Sequence, residues 1–257
     1  MNKYKIIAFA NQKGGVGKTT SAVNIAACIA KAKKNVLLVD TDPQGNATTG
    51  LGINKRQIHA SVYDLLISRT AAADAVCSTC VPNLSVIPST MDLVGAEIEL
   101  VDIENREYKL RESLTPLAEK YDYVFIDCPP SLGLITLNAL TAANGLVIPA
   151  LCEFYSLEGL TQLMNTVRYI KQRKNPSLEL VGVLVNMYDG RLTLNAQVLG
   201  EIKKYFGAKL LSRPVPRNVN LSEAPSYGVP AYMYDKYSKG SRAYEDIALE
   251  LMERCEG

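Results

Sequence analysis

The stretch Asn11-Gln12-Lys13-Gly14-Gly15-Val16-Gly17-Lys18-Thr19-Thr20 decides the fold. An apolar run, Ile6-Ile7-Ala8-Phe9-Ala10, precedes it and reads as a buried strand. The run Ala22-Val23-Asn24-Ile25-Ala26-Ala27-Cys28-Ile29-Ala30 follows it and reads as a helix. A glycine loop between a strand and a helix is the setting of a phosphate-binding loop. Gly14, Gly15 and Gly17 let the backbone wrap closely around a polyphosphate. The amides from Val16 to Thr20 then point at it from a helix N-terminus, whose dipole favours negative charge. Lys18 is expected on the β- and γ-phosphates, and the Thr19 hydroxyl on Mg²⁺. The competing explanation is a glycine-rich turn with incidental lysines.

The loop departs from the usual pattern. A glycine normally stands five residues before the Gly-Lys pair, and here that position is Gln12. A second lysine, Lys13, follows it at the mouth of the loop. There it could meet phosphates bound by another subunit.

Lys13-Gly14-Gly15-Val16-Gly17-Lys18-Thr19 resembles the deviant Walker A motif of the ParA/MinD ATPases. Within that superfamily the chain is most similar to the ParA (Soj) chromosome-partitioning group, and the likeness runs almost end to end. The resemblance implies an ATP-driven sandwich homodimer, with Lys13 crossing to the partner's nucleotide. It also implies nonspecific DNA as a ligand and a centromere-bound ParB-type protein that speeds slow intrinsic hydrolysis.

Bulk properties fit one α/β domain over residues 1–257, large enough for a full core. Hydrophobic residues make up 47% of the chain, and no run approaches 18 uncharged apolar residues, so a transmembrane helix is not expected. Ile6 to Ala10 is too short for a signal peptide, which predicts a cytoplasmic protein. Six scattered cysteines should then be reduced. The first strand starts close to Met1, so an N-terminal helix-turn-helix is not expected.

Charge is unevenly spread. The net of +2 divides into −2 over residues 1–160, +8 over 161–242 and −4 over 243–257. A basic block in a near-neutral chain suits a polyanion, although a solvated lysine-rich face gives the same count.

Val36-Leu37-Leu38-Val39-Asp40 reads as a second buried parallel strand, with Asp42-Pro43-Gln44-Gly45-Asn46 beyond it. Functional groups of such sheets gather at the carboxyl ends of the strands. Asp42 could orient a water toward the γ-phosphate and Asp40 could sit near Mg²⁺, or the segment could be a capping turn. Its likeness to the second ParA signature implies that Asp42 is the hydrolysis residue. Tyr123-Val124-Phe125-Ile126-Asp127 reads as a Walker B-like strand whose Asp127 holds a water on Mg²⁺. Asp127-Cys128-Pro129-Pro130-Ser131 again resembles ParA, where this loop is a switch.

Further strands are expected at 84–88, 146–149 and 180–185, with helices at 62–66, 95–120, 155–174 and 243–255. Pro116 is a possible break in the second helix. By the resemblance, Asn186 contacts adenine, and Pro216, Arg217 and Asn218 border it. Arg191 and Arg217 match DNA-binding positions. Lys203 and Lys204 extend the basic surface along a helix, and a surface salt bridge is the alternative for each arginine. The expected architecture is a P-loop NTPase-like, mostly parallel sheet with helices on both faces.

Three other functions compete. A MinD-like membrane ATPase needs a basic amphipathic C-terminal helix, and this one is acidic. An iron–sulfur carrier would use Cys77 and Cys80, whose only histidine, His59, is distant in sequence. A metabolic kinase has no use for Lys13.

Overall fold

The structure is a computed structural model and describes residues 5–153 and 156–256. Seven strands form one sheet: β1 (Ile6–Phe9), β2 (Val36–Asp40), β3 (Cys77–Ser78), β4 (Leu84–Ile87), β5 (Tyr123–Asp127), β6 (Gly145–Leu151) and β7 (Glu179–Asn186). Their spatial order is β3-β4-β2-β5-β1-β6-β7. All pairings are parallel except the short β3–β4 edge pair.

The helices are α1 (Lys18–Lys31), α2 (Asn46–Gly50), α3 (Val62–Leu66), α4 (Leu93–Glu99), α5 (Lys109–Ala118), α6 (Leu134–Ala142), α7 (Ser156–Arg173), α8 (Thr193–Phe206), α9 (Asn220–Glu223), α10 (Ala231–Tyr234) and α11 (Lys239–Glu256). Residue 155, the expected first residue of the helix over 155–174, lies outside the described residues.

Two apolar cores flank the sheet, and the two-residue period of each strand divides its side chains between them. Ala8, Leu37, Val39, Val124 and Ile126 face one core, which α3 to α8 cover. Ile7, Phe9, Val36, Leu38, Tyr123 and Phe125 face the other, which α1 and α11 cover. Helix α1 is Ala-rich and buried along most of its length, and this small-residue surface lets it sit close to β1 and α11. Helix α11 buries Ala243, Tyr244, Ile247, Ala248, Leu251 and Cys255, a stripe at helical spacing.

One expected helix is divided. The span 95–120 holds α4, which ends at Glu99, an irregular segment in which Asn105 adopts a left-handed φ of 56°, and α5. Pro116 lies inside α5, which stops two residues later, so the break is not at the proline. Helix α3 is held by a capping box between Ser61 and Asp64.

Parallel strands place four carboxyl ends on one edge. The phosphate loop leaves β1 there, Asp40 ends β2, Asp127 ends β5 and Asn186 ends β7. In register, Asp127 lies beside both Phe9 and Asp40.

Candidate nucleotide site

Gly15 and Gly17 take left-handed φ values of 71° and 81°. A Cβ on Gly17 would stand 2.7 Å from Asn186 Nδ2, so both backbone conformation and space demand glycine there. Asn11 braces the loop entrance by donating to the Pro149 carbonyl at 2.7 Å and accepting from the Lys13 amide at 3.0 Å. Asn186 braces its far side. Its Nδ2 donates to Val16 O at 2.8 Å and to Ser21 Oγ at 3.0 Å, and its Oδ1 accepts from Tyr244 at 3.4 Å.

Lys18 is buried and donates to the Lys13 carbonyl at 3.1 Å, across the loop it belongs to. Burial pulls its ammonium below the usual lysine range, and the Asp127 carboxylate opposes that shift. Asp127 is fully buried, and neither carboxylate oxygen closes a hydrogen bond of standard geometry among the described residues. Burial pushes its carboxyl well up, and neighbouring Asp40 adds to the rise; the Thr19 hydroxyl and Lys18 pull the other way.

Asp40 has a different environment. It accepts from the Thr48 amide at 2.8 Å, the Thr48 hydroxyl at 2.7 Å and the Asp42 amide at 3.1 Å. Burial still raises it to about 6. Asp40 therefore braces α2 and the Asp42 turn, and Asp127 is the carboxylate with free acceptor capacity. Asp42 lies at the site edge and accepts the Gln44 amide at 2.9 Å. Thr48 had no sequence signal, because its role exists only once α2 folds over β2.

A divalent cation fits this arrangement. Mg²⁺ is held by one or two carboxylates, a hydroxyl, waters and phosphates rather than by an all-protein cage. Among the described residues no group of three or more His, Cys, Asp or Glu could cage a metal unaided. The buried Asp127, with acceptor capacity to spare beside the Thr19 hydroxyl, supplies what such a shared site needs.

A cavity of about 720 Å³ opens beside the loop. Gly17, Thr19 and Thr20 line one wall, Asn186, Pro216, Arg217 and Asn218 a second, and Leu221 and Pro225 a third. The size suits a nucleotide-sized ligand. The 214–218 segment reaches it because Tyr188 N donates to Val215 O at 2.9 Å and Tyr188 pairs with Pro216 beyond the end of β7.

Lys13 is ion-paired with Glu153, which follows β6. Sequence offered no hint of that partner 140 residues away.

The four basic residues expected on DNA divide into two pairs. Arg191 and Arg217 lie together at the nucleotide edge, where Arg191 forks onto Asp189 at 2.9 and 2.6 Å. Those bonds, with a smaller contribution from Arg217, hold the Asp189 carboxyl down at about 2. Lys203 and Lys204 are exposed in the last turn of α8, about 15 Å along its axis from Thr193 at 1.5 Å per residue. Lys204 pairs with Glu201 at 2.6 Å. The thiols of Cys77 and Cys80 approach different carbonyls, of Ala75 and Gly228, and burial raises both.

A family model described as an AAA domain matches residues 4–180. The chain is 54% identical to the sporulation initiation inhibitor protein Soj of Bacillus subtilis, over 96% of this chain and 98% of that one. It is 50% identical to the chromosome partitioning protein ParA of Myxococcus xanthus, over 97% of this chain and 88% of that one. Among solved structures, a cobyrinic acid a,c-diamide synthase of Mycobacterium smegmatis with bound ADP and magnesium superposes with a TM-score of 0.83. That protein is 36% identical, covering 95% of this chain and 92% of its own.

Proposed function

Because the chain belongs to the Soj/ParA family of chromosome-partitioning proteins, we propose that it is a Mg²⁺-dependent ATPase whose ATP-bound homodimer holds nonspecific DNA. The observation that carries this reading is the buried Asp127 carboxylate, which closes no hydrogen bond of standard geometry among the described residues, beside a glycine loop that ends in Lys18 and Thr19.

Each residue then has a defined task. The amides from Gly14 to Thr20 bind phosphate oxygens, and Lys18 balances charge on the β- and γ-phosphates. Thr19 and Asp127 hold the metal, directly or through water, with Asp40 fixing the turn beside them. Mg²⁺ would supply charge neutralisation on the phosphates. Asp42 orients the attacking water. Asn186, Pro216, Arg217 and Asn218 border the adenine, and the buried Asn218 Oδ1, which lacks a hydrogen bond among the described residues, is an acceptor available to an amino group there. Lys13 leaves Glu153 and reaches the partner subunit's nucleotide.

Pairing two subunits sets two basic surfaces side by side. An electrostatic affinity rises steeply with the number of phosphates neutralised, so dimerisation switches DNA binding on. Hydrolysis dissolves the dimer and releases the DNA. A ParB-type partner accelerates that step, and the protein works in the cytoplasm on the nucleoid. A membrane-anchored role has less support. The apolar stripe of α11 is already buried in the core, and its outer face carries Glu245, Asp246, Glu250 and Glu253. Among the described residues no helix is long and apolar enough to cross a membrane.

The test is duplex-DNA binding with ATP, with ADP and without nucleotide, across a salt series, using the wild type and Asp42→Ala. Salt-sensitive binding with ATP, strengthened in the variant, is expected. Binding indifferent to nucleotide would overturn the switch, and no binding in any state would remove the DNA role.

A further inference from the structure

One buried hydroxyl beside the nucleotide cavity has no task in the proposed hydrolysis. Tyr244 lies on α11, far from the phosphate loop in sequence, and lines the cavity together with Asn186. Its oxygen stands 3.2 Å from Ser21 Oγ and 3.4 Å from Asn186 Oδ1. Asn186 Nδ2 in turn lies 3.0 Å from Ser21 Oγ. Three buried side chains, from α1, β7 and α11, thus close a cycle of hydrogen bonds.

The direction of the protons follows from the chemistry of the groups. An amide nitrogen only donates, so Asn186 Nδ2 donates to Ser21 Oγ. Ser21 then has its own proton for the Tyr244 oxygen, and Tyr244 has its proton for Asn186 Oδ1. Each group donates once and accepts once around the cycle, and every bond polarises the next. Burial pushes the Tyr244 hydroxyl above its usual range and keeps it protonated, while the bond from Ser21 pulls the other way.

The second Nδ2 proton goes to the Val16 carbonyl at 2.8 Å. That bond sets the sense of the cycle, because a reversed amide would face the Val16 carbonyl with Oδ1. Tyr244 holds the opposite end of the same amide, so its plane does not tilt about the Nδ2 bonds. Both amide protons are then spent inside the protein, and only a lone pair of Oδ1 is left over. Asn186 offers the cavity wall an acceptor and no donor. Asn218 Oδ1, buried on the same wall without a hydrogen bond among the described residues, is a second acceptor. Adenine carries an amino donor at C6 where guanine carries a carbonyl acceptor. A wall of acceptors pairs with the first and repels the second.

We propose that Tyr244 is a positioning residue for base selection: through the cycle it fixes the Asn186 amide as an acceptor and so favours a 6-aminopurine over a 6-oxopurine nucleotide. The choice of base rests on the nucleotide site proposed above; the cycle itself does not.

The test measures ADP and GDP affinity in the presence of Mg²⁺ by titration calorimetry on the full chain. It compares wild type, Tyr244→Phe, Ser21→Ala and the double variant. Hydrogen exchange of the Asn186 side-chain amide is followed in the nucleotide-free proteins by NMR. Wild type should prefer ADP. Tyr244→Phe should cut the ADP-to-GDP preference at least fivefold, and Ser21→Ala should act in the same direction. The two effects should not add, because either change opens the same cycle. Amide exchange should quicken at least tenfold in both single variants. An equal loss of affinity for the two nucleotides would make Tyr244 a structural residue only and overturn the proposal. So would an unchanged preference, additive effects or unchanged amide exchange. If Tyr244→Phe fails to fold, the same ratio and the same exchange rate in Ser21→Ala decide. Wild type that binds neither nucleotide would overturn the nucleotide site and this role together. Wild type that prefers ADP but neither hydrolyses ATP nor binds DNA would put the fault in the proposed function, and the ratio in the variants would still decide the role of Tyr244.

Discussion

Asn186 donates its side-chain amide to the Val16 carbonyl at 2.8 Å, joining the end of β7 to the middle of the phosphate loop. The same nitrogen reaches Ser21 in the first turn of α1. The loop is therefore held from outside as well as by its own glycines. Asn186→Ala would leave the buried Val16 carbonyl and Ser21 hydroxyl short of a donor, a loss of about 1–3 kcal/mol. A lower Tm together with weaker ADP binding is expected. An unchanged ADP affinity would show that the loop keeps its shape without this brace.

Gly17 faces that amide directly. With φ at 81° and Asn186 Nδ2 2.7 Å from a built Cβ, Gly17→Ala adds a steric clash to a left-handed backbone. The backbone penalty alone is about 1–2 kcal/mol. Nucleotide-dependent thermal protection should vanish while the sheet, read by far-ultraviolet circular dichroism, persists. Retained protection by ADP would show that the loop can re-form around the methyl.

Asp127 and Asp40 make the stability of the nucleotide-free protein depend on pH. Both carboxyls are raised, Asp40 to about 6 and Asp127 in the same direction, with burial as the chief cause. A raised carboxyl keeps its proton longer in the folded chain than in the unfolded one. Its favourable contribution is thus complete below the unfolded value of about 4 and is lost as pH rises through the folded value. Without metal, Tm should fall between about pH 4 and pH 7. Asp127→Asn should flatten that fall and raise Tm at pH 7.5, yet abolish the Mg²⁺-dependent part of nucleotide protection. A variant less stable than wild type at pH 7.5 would contradict the account of Asp127 as an uncompensated buried charge.

Lys13 and Glu153 are both substantially exposed, so their ion pair is worth at most about 1 kcal/mol to the fold. Glu153→Gln should leave Tm nearly unchanged. It should also free Lys13 and raise the fraction of ATP-dependent dimer, measured by sedimentation velocity at a protein concentration where wild type is half dimeric. Lys13→Ala should abolish that dimer. A dimer fraction insensitive to Glu153→Gln would mean that the pair does not restrain association.

Arg191 and Arg217 both act on Asp189, with Arg191 88% exposed and ion-paired to it. Replacing both with alanine should weaken DNA binding and reduce the salt slope by about 0.9 for each DNA phosphate no longer neutralised. ATP affinity should change less, since of the two only Arg217 lines the cavity. Lys203→Ala with Lys204→Ala tests the other end of α8. An effect confined to that second pair would move the DNA surface away from the nucleotide edge.

Local chemistry made much of this molecule legible in advance. Short apolar runs ending in Asp40, Asp127 and Asn186 read as buried parallel strands, and all three lie on one edge because parallel strands share a direction. The two-residue β3 was too short to carry a period, and the break after Glu99 lies in an irregular segment, with Asn105 left-handed, that hydrophobic spacing does not record.

By itself the sequence determined the glycine loop, its strand and helix, the strand-end aspartates and the imbalance of charge. These features depend on neighbours within about ten residues, where backbone sterics and periodicity act. Only the tertiary structure decided that Asn186 braces Val16, that Glu153 holds Lys13, that Thr48 occupies Asp40 while Asp127 closes no hydrogen bond of standard geometry among the described residues, and that one side of α4 is bare. Most of those relationships join residues far apart in the chain, and the last depends on which side of a helix its neighbours cover. Side-chain packing and the limited supply of hydrogen-bond partners set them, and neither leaves a mark in local sequence.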